Sequence, residues 1–385
     1  MSRQPALKAD ARASPAVAPG WRPATAEDIA TAAGVSVASV SRVLNNTGRV
    51  GAATRERILK LAAELHYAPN AAARSLASRR SRTVGAVIPS LENLNFAIGI
   101  DRFRKALREQ GYTLLLASSD YDKDKEEAQI RAMAAHGVDA VMLIGLSHNA
   151  QALRFLAARR IPVLLTWSLQ PGDRGHPATG ALPGIGFDNF AAATDATRYL
   201  LDLGHERLGV IAGSTLDNDR SAARVDAVSA ALAQRGLPPP LIESTPASYR
   251  VSEGKAALRR LMQGKGTAAP TAVMCMNDIL AYGALLAASE LGLDVPGDVS
   301  VTGFDDLDFA ASISPALTTV RIPAEAIGDA AAAYLVDSLA GRQPVLPAPL
   351  VAELVIRKST GPPPAASRDS TPVSVAARPL RSRSG

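Results

Sequence analysis

The stretch AAGVSVASVSRVLNN, residues 32–46, decides how the N-terminal part of this chain folds. It predicts the end of one helix, a break at Gly34 and a second short helix capped by Ser36. Val40, Val43 and Leu44 form one narrow apolar face of that second helix. The opposite face is small and polar, with Ala38, Ser41, Arg42 and Asn45. So small an apolar face has to pack against neighbouring helices.

Two such neighbours are predicted. One spans residues 26–33, where Thr25 and Asp28 form a variant of the capping box. The other spans residues 52–65 and is amphipathic. Together the three helices would bury Ile29, Val40, Val43, Leu44, Ile58 and Leu65. This plan is typical of a helix-turn-helix, whose second helix enters the DNA major groove, although a three-helix bundle without a DNA role is an open alternative.

Charge is unevenly distributed along the chain. Residues 1–82 hold 13 Lys and Arg against 5 Asp and Glu, whereas residues 83–360 hold 25 against 30 and residues 361–385 hold 4 against 1. A basic small module joined to a mildly acidic large one indicates a polyanionic partner for the first module. The alternative is a solvated basic segment with no partner.

Composition limits the class of protein. The chain has 385 residues, of which 47% are hydrophobic and 20% charged, enough for more than one domain. The single Cys275 excludes an intramolecular disulfide and fits a reducing compartment. There is no run of eighteen apolar residues and no signal-peptide pattern at the start. We therefore expect a cytoplasmic protein without a membrane partner.

From Thr83 onward apolar runs alternate with helical patterns. The strand-like runs lie at 84–88, 112–117, 140–144, 161–165, 207–212, 271–275 and 299–303, and the helical patterns at 97–110, 126–136, 191–203, 221–235, 252–262 and 278–291. Such alternation predicts parallel sheets covered on both faces, and its extent predicts two α/β lobes with a cleft between them. Ligands of such sheets bind at the carboxyl ends of the strands.

Motifs for catalysis are missing from the sequence. It has no nucleophile elbow, no phosphate-binding P-loop and no dinucleotide fingerprint, and its five histidines lack metal-ligand spacing. The acidic run 305–308 follows a predicted strand, where a polar ligand contact is favoured over a metal. We therefore expect no enzyme activity, no cofactor and no metal.

The motifs resemble the LacI/GalR family of bacterial transcription regulators. The resemblance rests on TAEDIATAAGVSVASVSRVLN (25–45), TRERI (54–58) and LHYAPN (65–70), and on PTAVMCMND (270–278), GLDVPGDVSVTGFDD (292–306) and PALTTV (315–320). It implies an α plus α/β fold with two parts, a three-helix helix-turn-helix domain with a hinge helix and a two-lobed periplasmic-binding-protein-like (type I) sensor. The expected boundaries are a disordered arm (1–22), the DNA-binding domain (23–69), the hinge helix and linker (70–82), the effector-binding and dimerisation domain (83–360) and a disordered tail (361–385).

The resemblance also implies DNA contacts. By position these are Ser36, Val37, Ala38, Ser39, Ser41 and Arg42 toward bases, and Thr25, Asn45, Arg49, Tyr67 and Asn70 toward phosphates. Leu76 of the hinge helix would enter the minor groove as an apolar wedge. A homodimer on a palindromic double-stranded operator is implied, because two modules have to read two half-sites.

For the sensor, the resemblance implies a small-molecule effector between the lobes. The matching positions are Asn95, Phe96, Trp167, Arg224, Tyr249, Asn277 and Asp305. Carboxylate, amide and guanidinium groups pair with hydroxyls or a carboxylate, and aromatic rings cover an apolar sugar face. The expected effector is a sugar or a related compound, and a sugar acid is favoured. A neutral sugar and a nucleoside are open alternatives. The expected function is an effector-controlled regulator, most often a repressor, and the competing reading is a solute-binding protein of a transport system.

Overall fold

A computed structural model describes residues 22, 24–45, 47–67, 80–169, 182–246, 249–263 and 269–364. The chain divides into two compact units, residues 1–81 and 82–385, and each is considered by itself. Two residues of the predicted DNA surface, Asn70 and Leu76, lie outside the described residues, as do the arm before Arg22 and the tail after residue 364.

The first unit contains three helices, α1 (Ala26–Ala33), α2 (Val37–Leu44) and α3 (Ala52–Glu64). Both predicted caps are confirmed. The Thr25 hydroxyl accepts from the Asp28 backbone N–H at 3.2 Å, and the Asp28 carboxylate accepts from the Thr25 N–H at 2.8 Å. The Ser36 hydroxyl accepts from the Ser39 N–H at 3.2 Å. Gly34 ends α1 with φ +64°, a left-handed conformation that glycine adopts without strain.

A small apolar core holds these helices together. Ile29, Val40 and Ile58 are fully buried, and Val43 is nearly so. The expectation for Leu65 is wrong: it is 41% exposed. Leu65 follows the last residue of α3, where the chain leaves the helix, and the Tyr67 ring packs against the core instead.

The second unit begins with lobe 1, a five-stranded parallel sheet. Its strands are β1 (Thr83–Ile88), β2 (Thr113–Ser118), β3 (Ala140–Ile144), β4 (Val163–Thr166) and β5 (Gly184–Ile185), in the order β2-β1-β3-β4-β5. Three helices connect them, α4 (Leu94–Glu109), α5 (Lys123–Ala135) and α6 (Ala150–Ala158). Every residue of β3 is buried, because helices cover both sheet faces.

Lobe 2 repeats this plan with four parallel strands. They are β6 (Leu208–Gly213), β7 (Leu241–Thr245), β8 (Ala272–Cys275) and β9 (Ser300–Thr302), in the order β7-β6-β8-β9. The helices are α7 (Asn189–Asp202), α8 (Asp219–Gln234), α9 (Val251–Met262) and α10 (Asp278–Glu290). Cys275 is a buried thiol in the core of this sheet.

Three segments connect the lobes. The chain leaves lobe 1 after β5 and enters lobe 2 at α7. It returns through β10 (Thr319–Arg321) to α11 (Ala324–Leu339), which packs on α4 of lobe 1. It crosses again through β11 (Glu353–Val355), antiparallel to β10, and ends beside β9, where Ser359 O accepts from Val301 N–H at 2.8 Å. Gly361, the first residue of the predicted tail, is still hydrogen-bonded to Ser300 of this lobe.

Glycine pairs bring two pairs of helices into close contact. A Cβ at Gly283 of α10 would lie 2.2 Å from the Val251 carbonyl oxygen of α9. A Cβ at Gly328 of α11 would lie 2.3 Å from the Gly99 carbonyl oxygen of α4. Real side chains do not fit at these distances, so both contacts require glycine.

Candidate functional site

The outer face of α2 is open to solvent in the first unit. Ser36, Val37, Ala38, Ser41, Arg42 and Asn45 are exposed, and Ser39 is half-buried. The polar side chains support one another: Ser36 Oγ and Ser39 Oγ lie 3.0 Å apart, and Asn45 Nδ2 donates to Ser41 Oγ at 3.2 Å. This surface is small and rich in hydroxyls, so another backbone or a groove can approach it closely.

Arg42 is the cation of this face. Its aliphatic stem lies over Gly48, where φ is +72° and an added Cβ would be 3.2 Å from Arg42 Cδ. Within the described residues it takes part in none of the ion pairs, whereas Arg22 is paired with Asp28 at 2.9 Å. Arg42 therefore presents its charge without a protein counter-ion in the part of the chain described.

The remaining predicted phosphate contacts are placed unevenly. Thr25 and Arg49 are exposed, and Tyr67 is half-buried against the small core. The Thr25 hydroxyl is also the cap of α1, so its oxygen already accepts one hydrogen bond.

All seven residues predicted for the effector line one cavity of about 380 Å³ between the lobes. Lobe 1 contributes Asn95 and Phe96 at the start of α4 and Trp167 after β4. The other four residues are Arg224 on α8, Tyr249 before α9, Asn277 at the cap of α10 and Asp305 after β9. This main cavity lies at the carboxyl ends of both sheets. Sequence reasoning missed six further lining residues, which are Asn93, Tyr121, Asn218, Arg220, Ser221 and Met276.

A carboxylate bonded to two amides lies in the main cavity. Asp305 Oδ1 accepts from Asn95 Nδ2 at 3.2 Å, and its Oδ2 accepts from Asn277 Nδ2 at 2.6 Å. Burial raises the pKa of Asp305 to about 7, against the opposing effect of the nearby Arg224 charge. The protonated form of this side chain is therefore much more favoured at neutral pH than that of an exposed aspartate.

Arg224 is held rigidly beside this carboxylate. Its Nε donates to Asn189 Oδ1 at 2.9 Å and its Nη1 to the Met276 carbonyl oxygen at 2.8 Å. The guanidinium carbon lies 3.6 Å from the centroid of the Phe304 ring. Burial lowers its pKa from the ordinary arginine value. Such a group is preorganised, because ligand binding need not order it.

Aromatic side chains close the main cavity from two sides. Phe96 and Trp167 meet edge to face at 5.7 Å, and Tyr121 and Tyr249 approach across the cleft at 6.2 Å. Trp167 Nε1 is buried and has no hydrogen-bond partner among the described residues. A buried N–H without an acceptor is costly, and this donor belongs to a residue that lines the main cavity.

Backbone strain is concentrated at the same place. Tyr121, Trp167, Tyr249 and Asp305 all have positive φ values, +60°, +65°, +50° and +119°. Non-glycine residues rarely adopt this conformation, and such strain is common at binding sites.

A second cavity of about 300 Å³ adjoins the first and shares Tyr121 and Arg220 with it. Behind it, the His148 ring is bracketed by two oxygens, with Nδ1 3.0 Å from Glu126 Oε2 and Nε2 2.9 Å from the Gly145 carbonyl oxygen. At its rim Lys123 of lobe 1 and Asp217 of lobe 2 form an ion pair at 2.6 Å. The two lobes are thus connected by an ion pair at the second cavity as well as by the Asn95–Asp305 hydrogen bond in the main cavity.

The described part of the chain has neither a candidate metal site nor a helix that could span a membrane. No group of three or more His, Cys, Asp and Glu side chains there could hold a metal ion. None of the helices there is long and apolar enough to cross a membrane.

Comparisons with known proteins agree with this architecture. Residues 25–70 match the family described as bacterial regulatory proteins, lacI family, and residues 197–360 match the periplasmic binding protein-like domain. The HTH-type transcriptional repressor PurR of Klebsiella pneumoniae (strain 342) is 33% identical over 323 residues, which cover 83% of this chain and 92% of the relative.

Two solved structures are similar over nearly the whole fold. The lac repressor dimer bound to operator and the anti-inducer ONPF is 25% identical with a TM-score of 0.75, covering 88% of this chain and 100% of that one. The complex of the transcriptional regulator CelR with cellobiose is 27% identical with a TM-score of 0.62, covering 87% and 99%. These relatives are regulators, which confirms the expectation that the chain is not an enzyme. The chain therefore belongs to the lacI family of bacterial regulatory proteins and is a DNA-binding transcriptional regulator with a periplasmic binding protein-like effector domain.

Proposed function

We propose that the protein binds a palindromic operator as a homodimer and that a sugar acid in the main cavity controls its DNA affinity. The choice of a sugar acid as effector rests on the side chains that line the main cavity. Amides, a carboxyl group and two guanidinium groups converge on it, and four aromatic rings border it. Polar pairs of this kind recognise adjacent hydroxyls, and rings cover the apolar face of a sugar. The similarity to CelR, solved with cellobiose, supports a carbohydrate-sized ligand.

On DNA, α2 would lie in the major groove. Ser36, Val37, Ala38, Ser39, Ser41 and Arg42 would face base edges, and Thr25, Asn45, Arg49, Tyr67 and Asn70 would face phosphates. Arg42 has the fork geometry that pairs with guanine O6 and N7. Leu76 would act as the minor-groove wedge. The similarity to a repressor solved as a dimer on its operator supports two copies on two half-sites.

Control by the effector would follow from linkage. A ligand held by Asn95 of lobe 1 and Asp305 of lobe 2 binds best to one relative position of the lobes. It changes DNA affinity only by its different affinity for the two states of the dimer. The same geometry serves an inducer that releases DNA and a corepressor that promotes binding.

The test is fluorescence anisotropy with full-length protein on fragments of the DNA upstream of its own gene, at two salt concentrations, with scrambled DNA as the control. Saturable binding to one palindromic fragment that persists at higher salt supports the proposal. Equal, salt-sensitive binding to every fragment contradicts operator recognition. For the effector, ligand binding that survives the double substitution of Arg224→Ala and Asp305→Ala would rule out the main cavity as its site.

A further inference from the structure

Arg220 joins the two lobes through its guanidinium group. It lies on the first turn of α8 in lobe 2, and its Nη1 donates to the carbonyl oxygen of Ile144, at the end of β3 in lobe 1, at 3.3 Å. The same nitrogen donates to Asp219 Oδ1 at 3.0 Å. The guanidinium carbon lies 5.8 Å from the centroid of the Phe96 ring of lobe 1. Arg220 thus touches lobe 1 while it lines both cavities.

The backbone of lobe 1 is shaped to admit this side chain. Gly145, directly after β3, has φ +96°, and a Cβ there would lie 2.0 Å from Arg220 Nη1. No other residue leaves that space free. The place of the guanidinium is therefore set by both lobes together.

The side chains that line the main cavity carry more positive than negative charge, although Asp219 of the second cavity forms an ion pair with Arg220 at 3.0 Å. Among the described residues that line it, Arg220 and Arg224 are cationic and Asp305 is the acid. Burial raises the pKa of Asp305 to about 7, so its negative charge is only partial at neutral pH. A ligand with an anionic group compensates this charge better than a neutral ligand.

Arg220 and Arg224 differ in which of their guanidinium N–H groups have no protein acceptor among the described residues. Arg224 uses Nε and Nη1 on protein oxygens, and its face is covered by Phe304. Arg220 uses Nη1, and neither its Nε nor its Nη2 has an acceptor within the described residues. The edge formed by Nε and Nη2 is the geometry that binds a carboxylate with two parallel hydrogen bonds.

We propose that Arg220 is a specificity-determining residue that binds the acidic group of the effector and couples this contact to lobe closure. A carboxylate on Nε and Nη2 fixes the guanidinium in the orientation in which Nη1 reaches Ile144. Acid binding and closure then favour each other. This inference rests on the proposed function, because it takes the effector to be a sugar acid.

The experiment compares matched acid and neutral ligands on the full-length protein. D-gluconate and D-glucuronate are paired with D-glucose, and D-galacturonate with D-galactose. Thermal shift identifies the pair that binds, and calorimetry gives Kd for wild type, Arg220→Gln and Arg220→Lys. We expect wild type to prefer the acid. Arg220→Gln should weaken acid binding by about tenfold or more, as for a lost charge-assisted pair, and neutral-sugar binding by less than about threefold.

Control variants distinguish a direct contact between Arg220 and the acidic group from a general effect of charge or of folding. Arg198→Gln removes an exposed arginine of α7 and should leave both ligands unchanged. Arg220→Lys keeps the charge but loses the fork, so its acid preference should fall between wild type and Arg220→Gln. An altered fold would weaken both ligands equally and leave their ratio unchanged, which counts against the proposal.

The failures of the two proposals are distinct. One outcome overturns only the role of Arg220. In that outcome an acid binds wild type and Arg224→Ala abolishes this binding, but Arg220→Gln changes the ratio of the acid Kd to the neutral-sugar Kd by less than about twofold. If the neutral sugar binds wild type more tightly than the acid, the sugar-acid effector and the role of Arg220 are both overturned, while operator binding stands on its own assay. The same holds if neither the acids nor the sugars bind.

Discussion

Asn95 of lobe 1 donates a hydrogen bond to the carboxylate of Asp305 in lobe 2 at 3.2 Å. The other carboxylate oxygen accepts from Asn277 of lobe 2. One acid therefore links the two halves of the effector domain inside its main cavity. A molecule that binds Asp305 has to compete with, or add to, a contact between the lobes.

The stability of the protein should fall as pH rises through neutrality. Burial raises the pKa of Asp305 from 3.8 to about 7, so the folded protein holds a proton that the unfolded chain has released above about pH 4. The contribution of this carboxyl is complete below pH 4 and is lost as pH rises through 7. Asp278, whose pKa burial raises to about 8, acts in the same direction.

Asp305→Asn should reduce the loss of stability between pH 5.5 and pH 8.5 by about 1 to 3 kcal/mol, since the amide does not release a proton in this range. Chemical denaturation of both proteins at pH 5.5, 7 and 8.5 measures it. Asp226→Asn, at an exposed site on α8, is the control. Parallel pH profiles for wild type and Asp305→Asn would contradict the prediction.

Gly145→Ala should weaken effector binding by about tenfold, because its Cβ meets Arg220 Nη1 and displaces that guanidinium. Gly137→Ala is a matched control. It too has positive φ, +76°, but nothing lies within 4 Å of its added Cβ. Both variants should lose about 1 to 2 kcal/mol of stability from backbone strain. If calorimetry gives the same effector Kd for both, Gly145 does not act through Arg220.

Arg42→Ala should weaken operator binding by about 1 to 3 kcal/mol, because a bidentate base contact is lost. Lys60→Ala is the control, since Lys60 lies on α3 and is exposed beside Glu64. Anisotropy titrations on operator and on scrambled DNA measure both variants. A loss of equal size on the two DNAs would show that Arg42 contacts phosphate and not a base.

Gly283→Ala should destabilise the effector domain by about 1 to 3 kcal/mol, as overpacking does in a close helix contact. The added Cβ meets the backbone of α9, which cannot move aside as a side chain does. Ser289→Ala, at an exposed position of the same helix, should be close to neutral. An unchanged melting temperature for Gly283→Ala would mean that α9 and α10 separate at little cost.

Much of the fold could be predicted because its elements carry local patterns. The seven predicted strands of the lobes are present within two residues at either end, and the caps at Thr25 and Ser36 are confirmed. The short strands β5, β10 and β11 were missed because two or three residues carry no alternation. Strand β7 and the short helix α6 were missed as well. Helix α11 was missed because its apolar residues are not confined to one face, so its periodicity is weak. Its packing on α4 joins residues more than two hundred positions apart, which no local pattern encodes.

The site was predicted in part. Seven residues came from the family resemblance, and the structure brings all seven to one cavity, although their contacts with an effector stay a prediction. Arg220 was missed even though it lies one helical turn before Arg224, a spacing that places both on one face. That spacing was a usable signal. For Tyr121 there was no such signal. This residue enters the cavity from a turn of lobe 1 with positive φ, which has no helix or strand periodicity.

Three segments of the chain connect the lobes. Two of them contain β10 and β11, which are hydrogen-bonded to each other. Three connections restrict the relative motion of the lobes more than one would, and the pairing of β10 with β11 holds two of them together. A molecule bound between the lobes therefore selects among a restricted set of lobe orientations. In the homodimer proposed above, this restricted motion is what the effector domain would transmit to DNA binding.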